Sequence, residues 1–165
     1  MRVGIALGSN LGDRAGHLRA AVAAIREFAE LPVLVSRVYE TEPVDCPPGS
    51  PAFLNAAIEI GYSGDLHALL ERLQTIERAH GRPAAHGWNT PRTVDLDILY
   101  AGDLTIDTPA LKLPHPRLLS RPFVLLPLND IIPNGKLPGS VTTFSEHVKT
   151  IESRGCNLSQ ESIFQ

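Results

Sequence analysis

The run Pro91-Arg92-Thr93-Val94-Asp95-Leu96-Asp97-Ile98-Leu99-Tyr100 sets two carboxylates two residues apart and puts a guanidinium beside them. Polar and apolar residues alternate through it, as in a half-buried strand. With a side-chain period of two, Thr93, Asp95 and Asp97 share one face, while Val94, Leu96 and Ile98 share the other. The carboxylate stems then stand roughly 6 to 7 Å apart. Two anions so placed repel one another, and Asp is a poor strand former. A divalent cation removes the conflict, since Mg²⁺ commonly takes one or two carboxylates together with substrate phosphates. The same D-x-D spacing also suits a strand whose second face is simply wet, so the rest of the chain has to decide.

Other residues could supply what such a site needs. Phe53 and Asn55 fall on one face of a further alternating stretch, with Leu54 and Ala56 behind them. One can stack on a flat heterocycle while the other reads its hydrogen-bonding edge. Phe123 is a candidate second aromatic; an ordinary core Phe beside a turn-facing Asn is the plain alternative. Arg82, Arg92, Arg117 and Arg121 flank the acidic run in sequence, and His115 sits between Pro114 and Pro116. Guanidinium forks suit phosphate oxygens, although any single surface arginine is as readily solvated. Glu77 can accept from a nucleotide edge, anchor Arg82 or be an exposed helix charge. Trp88 can close over a ligand or anchor its own loop. In Gly8-Ser9-Asn10-Leu11-Gly12 the backbone amides could face an anion. Neither the Walker phosphate loop nor G-x-G-x-x-G is present, so a tight turn with a Ser, Asn or Asp cap is the simpler reading.

The elements that must position these residues follow from periodicity. Arg2–Leu7 reads as a strand, and a helix from about Arg14 to Glu30 carries Leu18, Val22, Ile25 and Phe28. Val33–Thr41 is β-rich, and 42–51 is Pro-punctuated loop. Phe53–Tyr62 is a strand, Asp65 caps a helix to about His80, and the acidic strand comes next. The order β-α-β-β-α-β is that of a ferredoxin-like α+β sandwich, an antiparallel sheet with two helices on one face. Leu104–Ile106 can add a short strand, and 114–128 suggests short helical turns. Thr143-x-x-Glu146 is a capping box for a last helix through about Glu152. A single domain is expected over 1–152, with 153–165 a frayed tail.

The bulk numbers narrow the classes. The chain has 165 residues, 43% hydrophobic and 20% charged, which suits one globular domain with a real core. A net charge of −3 argues against a nucleic-acid surface, although the strand order is also that of the RNA-recognition fold. No apolar stretch reaches the roughly 18 residues a spanning helix needs, and the first residues do not read as a signal peptide. Cys46 and Cys156 suggest neither a disulfide framework nor a zinc site. Oxygen-ligated metal, a reduced cytoplasm and a monomer are the expectations. A non-catalytic small-molecule sensor of the same fold would leave the acid pair and its arginines unexplained. A different Mg-dependent nucleotidyl transferase would not.

Longer segments set that last alternative aside. G-S-N-L-G-D-R (8–14), Y-E-T-E-P-V (39–44), P-A-F-L-N-A-A (51–57), I-E-R-A-H-G-R (76–82), P-R-T-V-D-L-D-I-L (91–99) and P-H-P-R-L-L-S-R-P-F-V-L-L-P-L (114–128) occur in this order. Together they resemble the hydroxymethyl-dihydropterin pyrophosphokinase family from about Val3 to Pro133. The resemblance implies transfer of pyrophosphate from ATP to 6-hydroxymethyl-7,8-dihydropterin, with release of AMP. It implies that Asp95 and Asp97 hold two Mg²⁺ ions and that Phe53 and Phe123 sandwich the pterin. Asn55 and backbone groups of Thr41, Glu42 and Val44 would read the pterin edge. Arg82, Arg92, His115 and Arg121 would bind phosphates, with Arg82 and Arg92 acting in catalysis beside the acid pair. Glu77, Trp88 and Ile98 would border the nucleotide, and loops starting near Ser9, Pro43 and Arg82 would close over the site. Some members carry Tyr where this chain has Phe53, and arginines where it has Ala84 and Ala110. Lys112 or Arg117 is then expected to compensate at the ATP.

Overall fold

The computed structural model describes residues 1–43, 48–81 and 92–163. Its eight strands and four helices are β1 (Arg2–Ser9), α1 (Arg14–Arg26), β2 (Glu30–Val35), β3 (Tyr39–Thr41), β4 (Phe53–Gly61), α2 (Leu66–Ala79), β5 (Asp95–Ala101), β6 (Ile106–Asp107), β7 (Lys112–Leu113), α3 (Pro122–Ile131), α4 (Phe144–Thr150) and β8 (Cys156–Leu158). Five strands lie in the order β5-β1-β4-β3-β8, β2 also pairs β4, and every pairing is antiparallel. β6 and β7 form a separate ribbon. The strand order and two crossing helices are those of the expected ferredoxin-like α+β sandwich. Among the described residues no helix is long and apolar enough to cross a membrane.

The helix ends follow from capping chemistry. Asp13 accepts from the Gly16 amide at 2.9 Å, and Asp65 accepts from the His67 and Ala68 amides at 3.0 Å each. Thr143 and Glu146 close the expected capping box. Each such cap satisfies amides that the first turn leaves without partners.

Two apolar clusters sandwich the sheet. On one side α1 and α2 bury Leu18, Val22, Ile25, Leu69 and Leu73 against Val3, Ile5, Leu7, Leu54, Ile58, Leu96 and Ile98. On the other, α3 and α4 bury Val124, Leu125, Leu128 and Phe144 against Ala57, Leu99 and Tyr100. A register shift between Gly4 and Ile5 along β5 lets Leu99 and Tyr100 both join this second cluster. Tyr100 lies directly over Gly4, where even a Cβ would come within 2.2 Å of the ring. Its hydroxyl donates to Glu59, and burial first, then that bond, pushes its pKa upward.

Two expectations are corrected here. Val33–Thr41 is not one strand. At the break Ser36 takes over the pairing with β4: its amide donates to Ala57 at 2.9 Å, and the Ala57 amide donates to its Oγ at 2.8 Å. A side-chain acceptor at that point lets the chain step by one register between β2 and β3. The described part of the tail, 153–163, is not frayed either, since β8 pairs with β3 and Ile163 is 1% exposed in the helix-side core. A polar composition hid a strand whose partner is distant in sequence.

Candidate active site

Antiparallel register assembles the site. Asp95 and Asn55 both stand opposite Gly8, on either side of β1, and Tyr39 stands opposite Asn55. Cross-strand partners project to the same face, so Asp95, Gly8, Asn55 and Tyr39 form one row across the sheet. Asp97 begins the next row with Ala6 and Ala57, and Thr41 faces Phe53 at the other flank. Gly8 keeps the middle of this floor open. A Cβ there would lie 3.4 Å from Asn55 Oδ1, 3.8 Å from the Phe53 ring and 4.0 Å from Asp95 Cβ.

The polar groups on this floor are held in place. Asn55 Nδ2 donates to Thr41 Oγ1 at 2.8 Å, both residues being buried, and Asn55 Oδ1 is left facing the gap over Gly8. Arg92 Nη1 sits 2.8 Å from Asp95 Oδ2, and its guanidinium lies 6.0 Å from the Phe53 ring centroid. Asn10, 1% exposed, fixes the backbone on both sides of the Arg92 Cα. Its Oδ1 accepts from the Arg92 amide at 2.8 Å, and its own amide donates to the Arg92 carbonyl at 3.1 Å. Asn10 Nδ2 also reaches the Pro51 carbonyl at 3.2 Å, and Arg14 reaches the Ala52 carbonyl at 2.8 Å. The β1–α1 turn thereby ties the Phe53 flank to the acid strand. Ser9 Oγ, Arg92 Nε and Asn129 Oδ1 are buried with no hydrogen-bond partner among the described residues, and the first two lie at this floor, where a bound ligand could satisfy them.

A second wall descends from α3. Arg121, at its N-terminus, has its guanidinium 5.6 Å from the Phe123 ring centroid. Burial chiefly, and then Arg117, lowers the Arg121 pKa, while Asp97 and Asp95 pull it back up. Arginines and acids therefore share one electrostatic neighbourhood. His115 belongs to it as well: burial first, then Arg121 and Arg117, lowers its pKa, with Asp95 opposing. Its Nδ1 accepts from the Arg117 amide at 3.1 Å, so the neutral ring carries its proton on Nε2. The His115 amide donates to Leu99 at 2.7 Å, which binds this turn to the acid strand.

α3 is locked to the sheet by a contact the sequence did not disclose. Asp130 accepts from the Tyr39 hydroxyl at 3.0 Å and from Arg37 Nε at 3.1 Å. Burial first, then Asp130, pushes the Tyr39 pKa up to about 12. Tyr39, Asp130, Asn10 and Gly8 were all missed as site residues. The G-S-N-L-G segment was the available signal, but as a turn it had a sufficient local explanation.

Other expected residues lie elsewhere. Glu77 is buried and accepts from the Leu96 amide at 2.8 Å, so it covers the outer edge of β5 and is not an exposed helix charge. The side chain of Ile98 is in the helix-side core, on the opposite face from the acids, because it shares the parity of Leu96. Any contact of Ile98 with a nucleotide would come from its backbone. Lys112 is on the small ribbon with its ammonium 2.7 Å from Asp107. The Glu42 amide donates to the Gly155 carbonyl at 3.4 Å. Val44, Arg82 and Trp88 lie outside the described residues.

An aromatic flank, an amide facing a gap, an acid pair and a cluster of cations on one sheet face are what a flat heterocycle and a polyphosphate would require together. Residues 4–133 match the family model of 7,8-dihydro-6-hydroxymethylpterin-pyrophosphokinase (HPPK). The chain belongs to the HPPK family. Over 128 residues it is 48% identical to the 2-amino-4-hydroxy-6-hydroxymethyldihydropteridine pyrophosphokinase of Bacillus subtilis, covering 77% of this chain and 75% of that one. A Pseudomonas aeruginosa protein of the same name is 40% identical over 138 residues, covering 83% and 84%. Among solved structures, Plasmodium falciparum HPPK-DHPS with pteroate superposes with a TM-score of 0.71 at 17% identity, over 90% of this chain and 42% of that chain. At that identity the likeness speaks for the fold. The chain thus spans about two fifths of that larger protein, whereas it covers most of the two bacterial HPPK relatives.

Proposed function

We propose that this chain transfers the pyrophosphoryl group of ATP to the hydroxymethyl oxygen of 6-hydroxymethyl-7,8-dihydropterin, a step of folate biosynthesis. Its relatives carry that activity in their names. The observation that carries the reading is the single sheet face on which Asp95 and Asp97 adjoin the Gly8 gap, Asn55 and Phe53, under the guanidinium groups of Arg92 and Arg121 and the neutral ring of His115.

The pterin stacks between Phe53 and Phe123, and Asn55 Oδ1 accepts from its edge. The hydroxymethyl oxygen attacks the β-phosphorus in line. The new O–P bond replaces the bond between that phosphorus and the α,β-bridging oxygen, AMP departs with the bridging oxygen, and the hydroxyl proton passes to solvent. Asp95 and Asp97 fit a hard cation. They offer oxygen donors at half-exposed positions, and no group of three or more His, Cys, Asp or Glu competes among the described residues. They would hold two Mg²⁺ ions, which when bound neutralise the triphosphate and polarise its phosphoryl oxygens. Arg92 and Arg121 donate to phosphate oxygens, with Arg82 as a third donor, and neutral His115 offers its Nε2–H. Glu77 acts through the β5 backbone and keeps the acid strand straight at its open edge. Of Lys112 and Arg117, Arg117 stands in at the ATP for the arginines absent at Ala84 and Ala110, since it adjoins Arg121 and His115 whereas Lys112 is paired with Asp107. A cytoplasmic monomer completes the reading.

The deciding experiment mixes protein, MgATP and hydroxymethyl-dihydropterin and resolves the nucleotide products. AMP formed in step with pterin diphosphate supports the assignment. ADP would make the protein a simple kinase, and unchanged ATP would leave a binding protein.

A further inference from the structure

Residues after 133 lie outside the family match, yet the last of them are built into the sheet beside the floor of the site. From α4 the chain returns to the outer edge of β3 and adds β8. Leu158 stands opposite Tyr39, Asn157 opposite Glu40 and Cys156 opposite Thr41. The Glu42 amide donates to Gly155, and the Ser159 amide donates to Val38 at 2.9 Å. Bonded pairs recur at every second residue of an antiparallel ladder, so Glu40 and Asn157 are the bonded pair between those two ties. Beyond β8 the chain crosses the edge to the helix side. There Arg19 Nη1 donates to the Ser162 carbonyl at 3.2 Å, and Ile163 is buried among the α1 and sheet residues. The segment is fastened at both ends, by α4 on one layer and by Ile163 on the other.

We propose that this C-terminal strap is a positioning element of the pterin site. The proposal rests on the reading of Thr41 and Asn55 as the pair that presents an acceptor to the pterin. β3 is three residues long, too short to hold its geometry by pairing with β4 alone. It carries Thr41, whose hydroxyl takes up Asn55 Nδ2 and so turns Asn55 Oδ1 toward the Gly8 gap. It also carries Glu40, which pairs with Arg14 at 2.8 Å, and Arg14 in turn holds the Ala52 carbonyl next to Phe53. With β8 in place both edges of β3 are bonded and the amide orientation is set. Without it Thr41 drifts and Asn55 can rotate. Among the described residues the ladder bonds of the strap run to β3 and its far anchor to α1, so its effect falls on the pterin.

Asn157→Pro removes the amide that bonds Glu40 and leaves Ile163 in place. Ile163→Ala loosens the far anchor and leaves the ladder intact. Hydrogen exchange at Glu42 and Ser159 reports whether the strand has let go. Steady-state kinetics should then show KM for the pterin rising roughly tenfold, the equivalent of one lost orienting hydrogen bond, with KM for ATP nearly unchanged. Ile106→Ala, which trims the packing of the separate ribbon against the first core, supplies a comparable loss of Tm and should leave pterin KM alone. A released β8 with unchanged pterin KM would overturn the proposal. So would a lowered KM, which would mean that the strap competes with the pterin for the β3 edge. Asn55→Ala separates the two levels: if it leaves pterin affinity intact, the reading of Asn55 itself fails, whatever the strap variants do.

Discussion

At the scale of single residues, the proposed site divides between groups that would hold charge and groups that would hold the heterocycle. Asp97 projects from a strand whose other face is fully packed, so its loss would remove the proposed cation ligand without opening the core. Asp97→Ala should lower kcat by on the order of a thousandfold, the size of removing a major electrostatic stabiliser, while Tm and circular dichroism stay close to those of the parent. Arg92 links the two functions, since it touches Asp95 and lies over Phe53. Arg92→Ala should therefore depress kcat by about a hundredfold or more, with a smaller change in pterin KM, as expected of a group whose contacts strengthen in the transition state. Phe123→Ala should act the other way. Losing one stacking face costs about 0.5–1.5 kcal/mol beyond buried area, so calorimetry should find weaker pterin binding with kcat at saturation little altered.

At the scale of elements, the question is what keeps α3 over the sheet. Its polar bond to β3 runs through Asp130, whose side chain is 9% exposed and serves both Tyr39 and Arg37. Asp130→Ala strands a buried tyrosine hydroxyl, which costs about 1–3 kcal/mol. A lower urea midpoint is expected, together with weaker pterin binding, because Phe123 and Asn55 then lose their common reference. Tyr39→Phe removes only the donor and leaves Asp130 its bonds to Arg37, so it should cost about 1 kcal/mol. The Glu77 contact illustrates the same logic at the opposite edge. A buried carboxylate on α2 satisfies the Leu96 amide of a strand that is, among the described residues, at the edge of the sheet.

At the scale of the whole molecule, stability should depend on pH through its less exposed histidines. His80 ends α2 with its Nδ1 3.3 Å from that of His17 on α1, and its carbonyl accepts from Thr93 at 2.6 Å just before the acid strand. Burial first, then His17, holds the His80 pKa below the ordinary 6.5, and His115 is held below it by burial and its arginine neighbours. In the unfolded chain both rings take up protons near 6.5, whereas in the folded chain they resist. Folding stability is therefore unaffected above that pH and falls as the pH drops from 6.5 toward the folded-state values. Urea midpoints measured between pH 8 and pH 5 should show that loss, and His80→Gln should flatten part of it. A parent midpoint that rises on acidification would contradict the assignment of these rings as neutral.

What the amino-acid order determined by itself was everything carried by local period or local chemistry. Alternation placed Asp95 and Asp97 on one face, and Phe53 and Asn55 on another strand's polar side. Capping residues set the starts of α2 and α4, and the succession of elements specified the sandwich. These readings need only neighbours a few residues away, whose geometry the backbone imposes. What the tertiary structure decided was how distant segments meet. Opposing registers brought Asp95 and Asn55 to either side of Gly8, and Asn10 was turned from a turn residue into the brace of Arg92. Packing made Glu77 a buried edge partner, and a polar tail became a strand because β3 offered it an unpaired edge. No local pattern encodes such choices, since each depends on a partner tens of residues away whose own position is settled only when the sheet closes.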